Sequence, residues 1–243
     1  MIRRWLGLCG AGVVVVLTPV PSALAVPDRA HSETVLRLSA ESEMVILGTA
    51  TITDWHCVSQ APEGEFTIPV APEHLDEAYK NIVKAPKQFH SERSVGEGAV
   101  GGDRGSTAHL NVPVSSFDCG NELMQADMNA AIKGKEFPFV RYRNFGITLG
   151  GRRGGGSAEA LSLISWGILE LAGVKRKVDV ELEVQLLSPG KFLITGEKVM
   201  KMSDFRVVPP TALFGLIEAH DQFSLRYKLI ASATEADVLP RQD

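Results

Sequence analysis

A strict alternation of apolar and polar residues over residues 166–187 is the feature that most constrains how this chain can fold. A period of two places one set of side chains on a buried face and the other in water, which is typical of an antiparallel strand with one solvated side. Just upstream, Leu169 and Leu171 flank Glu170 in a second alternating run, and Ala172-Gly173 supplies a tight turn. The segment predicts a β-hairpin whose second strand alternates Val178, Val180, Leu182, Val184 and Leu186 with Lys177, Asp179, Glu181, Glu183 and Gln185.

Short runs of this kind recur along the chain, separated by glycine, proline or polar turns. Their spacing is typical of an all-β barrel or sandwich. The last run is as regular as the first, since Phe223, Leu225, Tyr227 and Leu229 alternate with polar residues. We predict strands over residues 34–40, 44–53, 64–70, 108–114, 139–149, 158–171, 177–187, 192–202 and 222–231.

Two segments depart from this pattern. Residues 121–133 predict a helix, because Asn121 is a suitable N-terminal cap and Gly134 follows as a stop signal. Residues 71–107 are charged and then glycine-rich, so we expect a long loop there with a short helix over residues 74–84.

The first residues have the pattern of a secretory signal peptide. Arg3 and Arg4 precede an apolar run over residues 5–20, and Ala23-Leu24-Ala25 has the small-x-small form of a cleavage site. No later stretch reaches the length needed to span a bilayer. We therefore predict a bacterial protein that is periplasmic or secreted after cleavage near Ala25. Its predicted organisation is a signal peptide over residues 1–25, a flexible tail over 26–33, one β domain over 34–235 and a C-terminal tail over 236–243.

Removal of the signal peptide takes Cys9 with it and leaves Cys57 and Cys119. An even number of cysteines in an exported domain predicts a disulfide. The bridge would close a loop of about sixty residues, which the chain-entropy model values at about 4 kcal/mol. A redox-active or metal-binding pair has less support, because the chain has no C-x-x-C motif and no clustered histidines.

The charge of the chain argues against nucleic acid as a partner. Twenty-five Lys and Arg residues face 29 Asp and Glu residues, a net charge of −4. Residues 1–25 contain two arginines and no acid, so the mature chain carries −6. An acidic chain without a concentrated basic stripe lacks the electrostatic footprint of a nucleic-acid-binding protein.

No catalytic or metal-binding motif is recognisable. The sequence lacks H-E-x-x-H, G-x-S-x-G, P-loop and calcium-loop patterns, and its histidines are scattered. We therefore predict no catalytic residues, no metal and no enzymatic activity. An enzyme whose distant histidines converge in space stays an alternative, with candidates at His31, His56, His74, His90, His109 and His220.

Several short motifs resemble, in order, those of the YceI-like family. The hairpin contains Gly167, Leu169, Leu171, Gly173, Val174 and Lys175, similar to the family's G-x-L-x-L-x-G-V-T-K except for the missing threonine. Residues 54–57 (DWHC), 137–142 (FPFVRY) and 209–215 resemble further family blocks. The resemblance implies an antiparallel, lipocalin-like β-barrel of about eight strands that binds an isoprenoid lipid. We expect the helix over residues 121–133 near one barrel mouth.

The resemblance and the alternation together predict which side chains contact a ligand. We expect no cofactor other than a bound isoprenoid lipid or quinone, held by a carrier or buffer. The same apolar interior would equally suit a barrel packed solid. The predicted ligand-binding residues are Trp55, Phe66, Leu123, Met124, Met128, Val140, Tyr142, Leu169, Leu171, Val180, Leu182, Phe223, Leu225 and Tyr227.

A different class of function follows if the interior is solid. The barrel would then act as a partner-binding or envelope-stress protein through its loops and the face around Trp166. Ile164, Trp166 and Ile168 form a second apolar row on one predicted strand. An outward tryptophan between two isoleucines predicts a homodimer interface.

Overall fold

Twelve β-strands and two α-helices make up the part of the chain that the computed structural model describes, residues 33–84, 107–149, 160–212 and 216–233. The helices are α1 (Leu75–Lys84) and α2 (Glu122–Ala131), and 3-10 turns occupy Pro72–His74, Val114–Ser116 and Met202–Phe205. The strands are β1 (Thr34–Leu38), β2 (Glu43–Ala50), β3 (Asp54–Ser59), β4 (Glu63–Ile68), β5 (Thr107–Pro113), β6 (Phe117–Asp118), β7 (Phe139–Leu149), β8 (Leu161–Leu171), β9 (Val174–Ser188), β10 (Lys191–Lys201), β11 (Thr211–Ala212) and β12 (Ile217–Ala233).

The strands close into an antiparallel barrel with eight strand positions. Three of these positions are each occupied by two short strands: β1 with β2, β4 with β3, and β5 with β6. Strands β1 and β2 both pair with β12; β1 then pairs with β4, which pairs with β5, and β2 pairs with β3, which pairs with β6. Strands β7, β8, β9, β10 and β12 complete the circuit in chain order. The small β11 pairs with β12 outside this path. Neighbouring strand positions are thus consecutive in sequence, as the meander of short strands predicts.

The period-two pattern sets which side chains face inward. On β8, Leu169 and Leu171 are buried, whereas Trp166 and Ile168 are each 40% exposed. The predicted turn is present, with left-handed φ angles of 50° at Ala172 and 76° at Gly173. Glycine accepts this conformation without strain, and the two positive angles match the twist that a two-residue hairpin requires.

A bulge in β7 changes the phase of that strand. Its pairing with β8 shifts register between Asn144 and Gly146. Tyr142 before the bulge and Ile147 after it, an odd number of residues apart, therefore line the same cavity.

Helix α1 covers one mouth of the barrel. The Tyr79 hydroxyl donates a hydrogen bond to the Val184 carbonyl (2.9 Å), and its ring meets the edge of Phe192 at a centroid distance of 5.7 Å. Asp76 accepts a hydrogen bond from the backbone of Gly190 (3.0 Å), in the turn between β9 and β10. The early part of the predicted 71–107 excursion is therefore a helical cover.

Helix α2 lies at the opposite mouth, where the sequence predicts a helix. The Asn121 side chain accepts a hydrogen bond from the Met124 amide (2.8 Å), the predicted N-terminal cap. A disulfide joins Cys57 of β3 to Cys119, three residues before α2, which confirms the predicted bridge. The barrel wall and this cover are thus covalently connected.

Some predictions concern residues outside the described ranges. The predicted signal peptide, almost all of the 26–33 tail and the 236–243 tail lie there. No described helix has the length and apolar character needed to cross a membrane.

Candidate functional site

Two apolar cavities are stacked along the barrel axis. The inner cavity has a volume of about 90 Å³ and the outer cavity, beside α2, about 260 Å³. On four segments, consecutive inward residues line first the inner and then the outer cavity: Met44 and Ile46, Leu169 and Leu171, Met200 and Met202, and Leu225 and Phe223. Together the cavities reach the lower end of the 300–1,000 Å³ or so typical of small-molecule sites.

Three aromatic side chains lie flat against the wall because a glycine faces each of them. A Cβ atom at Gly48 would overlap the Trp55 indole, and one at Gly196 would overlap the Tyr227 hydroxyl. Gly167 accommodates the ring of Tyr142 in the same way. These close approaches keep the rings against the barrel wall and leave space along its axis.

The outer cavity is formed between the barrel end and α2. Trp55 forms part of its wall, and its indole nitrogen donates to the Thr49 carbonyl at 3.3 Å. Leu123, Met124 and Met128 of α2 also line it. Met128 is buried while Leu123 is 67% exposed, so α2 presents apolar atoms both inward and at the rim. Methionine side chains adapt readily to irregular ligands.

Polar groups in the inner cavity are paired with other protein groups. The hydroxyls of Tyr142 and Ser165 are 2.7 Å apart, and the Tyr227 hydroxyl donates to the Glu181 carbonyl. Burial raises the pKa of Tyr142, and the hydrogen bond with Ser165 partly offsets that rise. Burial also raises the pKa of Tyr227, with smaller contributions from Tyr142 and Glu181. Both tyrosines are therefore neutral at physiological pH.

One charged residue, Lys198 of β10, contributes to the lining of the inner cavity. Its ammonium group lies 2.9 Å from the Asp179 carboxylate of β9. The hydrogen bond from Lys198 holds the pKa of Asp179 below its usual range. Lys198 is not among the predicted ligand-binding residues, because a charged residue between Glu197 and Val199 predicts a solvated side chain.

All fourteen side chains predicted to contact a ligand line one of the two cavities. Their role in binding stays a prediction. Eight line the inner cavity: Phe66, Val140, Tyr142, Leu169, Val180, Leu182, Leu225 and Tyr227. Six line the outer cavity: Trp55, Leu123, Met124, Met128, Leu171 and Phe223.

The residues predicted to form a homodimer interface do not line the two cavities. Trp166 and Ile168 are on the outer surface of β8, beside the exposed Phe145 of β7, and Ile164 is partly exposed. Among the described residues, no three His, Cys, Asp or Glu side chains are grouped so that they could hold a metal ion.

A closed, eight-stranded antiparallel meander around apolar cavities defines a lipocalin-like barrel. Solved structures with the same fold include BcnA from Burkholderia cenocepacia (TM-score 0.54, 13% identity, 80% of this chain and 99% of that chain). A polyisoprenoid-binding domain from Saccharophagus degradans is also similar (TM-score 0.53, 12% identity, 83% of this chain and 99% of that chain). A YceI protein from Campylobacter jejuni aligns over 53% of this chain and 72% of its own, with a TM-score of 0.42 and 17% identity.

At these identities, the likeness to the first two structures is one of fold. The chain shares their lipocalin-like barrel, which confirms the predicted fold class. No protein-family model matches the sequence, and no curated protein matches it either.

Proposed function

We propose that this protein is an exported member of the YceI-like family that binds an elongated apolar lipid, isoprenoid or quinone-like, without transforming it. Its role would be that of a carrier or buffer. The observation that carries the proposal is the pair of stacked apolar cavities along the barrel axis. A linear hydrocarbon chain matches that shape better than a compact ligand does. Burying its surface gains about 25 cal/mol per Å² before ordering costs.

The fold neighbours support the ligand class by analogy. One of them is a polyisoprenoid-binding domain, which aligns over 99% of its own length. Fold analogy alone does not assign a function, so the ligand class rests on this protein's own cavity chemistry as well.

Export is part of the proposal. The pattern over residues 1–25 predicts a cleaved signal peptide, and the disulfide between Cys57 and Cys119 is stable in an oxidising compartment. A lipid carrier in such a compartment would shield an insoluble chain from water while moving it between membranes.

The test is solvent extraction and mass spectrometry of the oxidised protein purified from a bacterial envelope. We expect a stoichiometric polyprenyl or quinone species. Protein that is free of lipid and also takes up no added isoprenoid would overturn the proposal.

A second candidate function uses the outside of the barrel. Trp166 and Ile168 are each 40% exposed, and Phe145 beside them is 39% exposed. Exposed apolar clusters of this kind mark interaction surfaces, and a homodimer through Ile164, Trp166 and Ile168 is the simplest one. Sedimentation analysis of the wild type and Trp166→Ser tests this: a dimer that dissociates in the variant supports it, and a monomeric wild type refutes it.

A further inference from the structure

The ladder between β9 and β10 ends halfway along the barrel wall. These strands pair from Lys191–Ser188 as far as Thr195–Glu183. Beyond that point β9 continues to pair with β8 down to Val174, and β10 continues with β12 down to Lys201. Residues 174–182 of β9 and 196–201 of β10 therefore face each other without a ladder. We call this gap the seam.

Two side-chain contacts bridge the seam. Tyr227 extends from β12 across Gly196 of β10, and its hydroxyl donates to the Glu181 carbonyl on β9. Lys198 of β10 reaches Asp179 of β9 at 2.9 Å. Both contacts are made by side chains that can move, whereas a β-ladder is fixed by the backbone.

Residues on both sides of the seam line the inner cavity and are partly exposed. Val178, Val180 and Leu182 line that cavity from β9 and are only partly buried, although their alternation places them inside. Lys198 lines the same cavity, and 27% of its side chain is exposed. Its aliphatic stem thus lies among apolar groups while its ammonium group reaches Asp179 across the seam.

The chemistry at the seam suits an oxygen-bearing group. An ammonium group has three N–H donors. Among the described residues, Asp179 is the one acceptor within hydrogen-bond distance of the Lys198 ammonium. A lipid head with an oxygen acceptor would satisfy a further donor without breaking this ion pair.

We propose that the seam is the head-group site of the lipid: Lys198 binds the polar, oxygen-bearing head, and the hydrocarbon chain extends through the inner cavity toward the outer one. This inference rests on the proposed function and adds the position and orientation of the ligand. The head could be a neutral alcohol or quinone oxygen or an anionic phosphate, which share the ability to accept a hydrogen bond from an ammonium group.

The experiment compares four probes with the same branched chain: phytane, which has no head, phytol, phylloquinone and phytyl phosphate. Binding is measured to the full protein and to Lys198→Met, which keeps an apolar side chain of similar length. We expect the variant to bind at least one headed probe about tenfold to a hundredfold more weakly, the range for one hydrogen bond to a charged group. Phytane affinity should change less than about twofold, because the apolar contacts are retained.

Two further variants sharpen the result. Lys191→Met is the matched control, since Lys191 is also on β10, pairs with Glu41 at 3.2 Å and has 33% of its side chain exposed. It should bind all four probes as the wild type does. Asp179→Asn removes a negative charge that would repel an anionic head, so a rise in affinity for phytyl phosphate alone identifies an anionic head, and no such rise identifies a neutral one.

The outcomes are separable. Equal weakening of phytane and headed probes in Lys198→Met would show a structural role for Lys198 and overturn the head-group site. Unchanged affinity for every probe would overturn it as well. If the wild type takes up none of the four probes, the proposed function itself fails, and the head-group site fails with it.

Discussion

Filling the inner cavity from β9 should block lipid uptake without unfolding the barrel. Leu182 lines this cavity and is only partly buried, whereas Leu171 lines the outer cavity and is 7% exposed. Leu182→Trp is therefore the better-suited change. Tryptophan adds about six non-hydrogen atoms, and at about 0.3 kcal/mol per displaced ligand atom the loss is about 2 kcal/mol, or about thirtyfold in Kd.

The matched control is Leu187→Trp, on the same strand but 49% exposed. Affinity is measured by titration with phytol, and the free energy of unfolding by urea denaturation. Leu182→Trp should cost less than about 1 kcal/mol of stability, because the indole enters empty space rather than a packed core, where overpacking costs about 1–3 kcal/mol. Unchanged affinity in a folded Leu182→Trp protein would place the ligand elsewhere. A loss of stability in the overpacking range would show that the interior has no room.

Two further predictions concern stability. Replacing Cys57 and Cys119 together by serine should lower the free energy of unfolding by about 4 kcal/mol, because the bridge closes a loop between residues 62 apart; urea denaturation of the oxidised wild type and the variant measures this. The raised pKa of Tyr227 means that the folded state holds its proton when the unfolded chain has lost it, so stability should fall as the pH rises above about 10. That fall should be shallower in Tyr227→Phe, and an equally steep fall in both proteins would contradict the assignment.

Much of the barrel could be predicted from the sequence because its later strands are regular. Alternation over β8, β9 and β12 depends only on one wall face being apolar and the other solvated, so it identifies inward residues such as Leu169, Val180 and Leu225 directly. The cap at Asn121 and the pairing of Cys57 with Cys119 follow from equally local signals.

Other parts depend on contacts that no local pattern encodes. Strand β3 (Asp54–Ser59) is absent from the predicted strands, because Asp54 and His56 give it a polar outer face in a short segment. The bulge at Gly146 reverses the inward phase within β7. Lys198 has the same strand phase as the buried Ile194 and Met200, but its charge predicts a solvated side chain, and only the tertiary structure shows that it lines the inner cavity beside Asp179.

The incomplete ladder between β9 and β10 also bears on how the chain avoids aggregation. Closing a barrel normally removes every free strand edge, but here two edge segments persist within the wall. The outer face of β9 carries Lys175, Lys177, Asp179 and Glu181 along this stretch. Charges at a strand edge discourage pairing with an edge of another molecule. The charged side chains along the unpaired part of β9 therefore disfavour edge-to-edge pairing between separate copies of the chain.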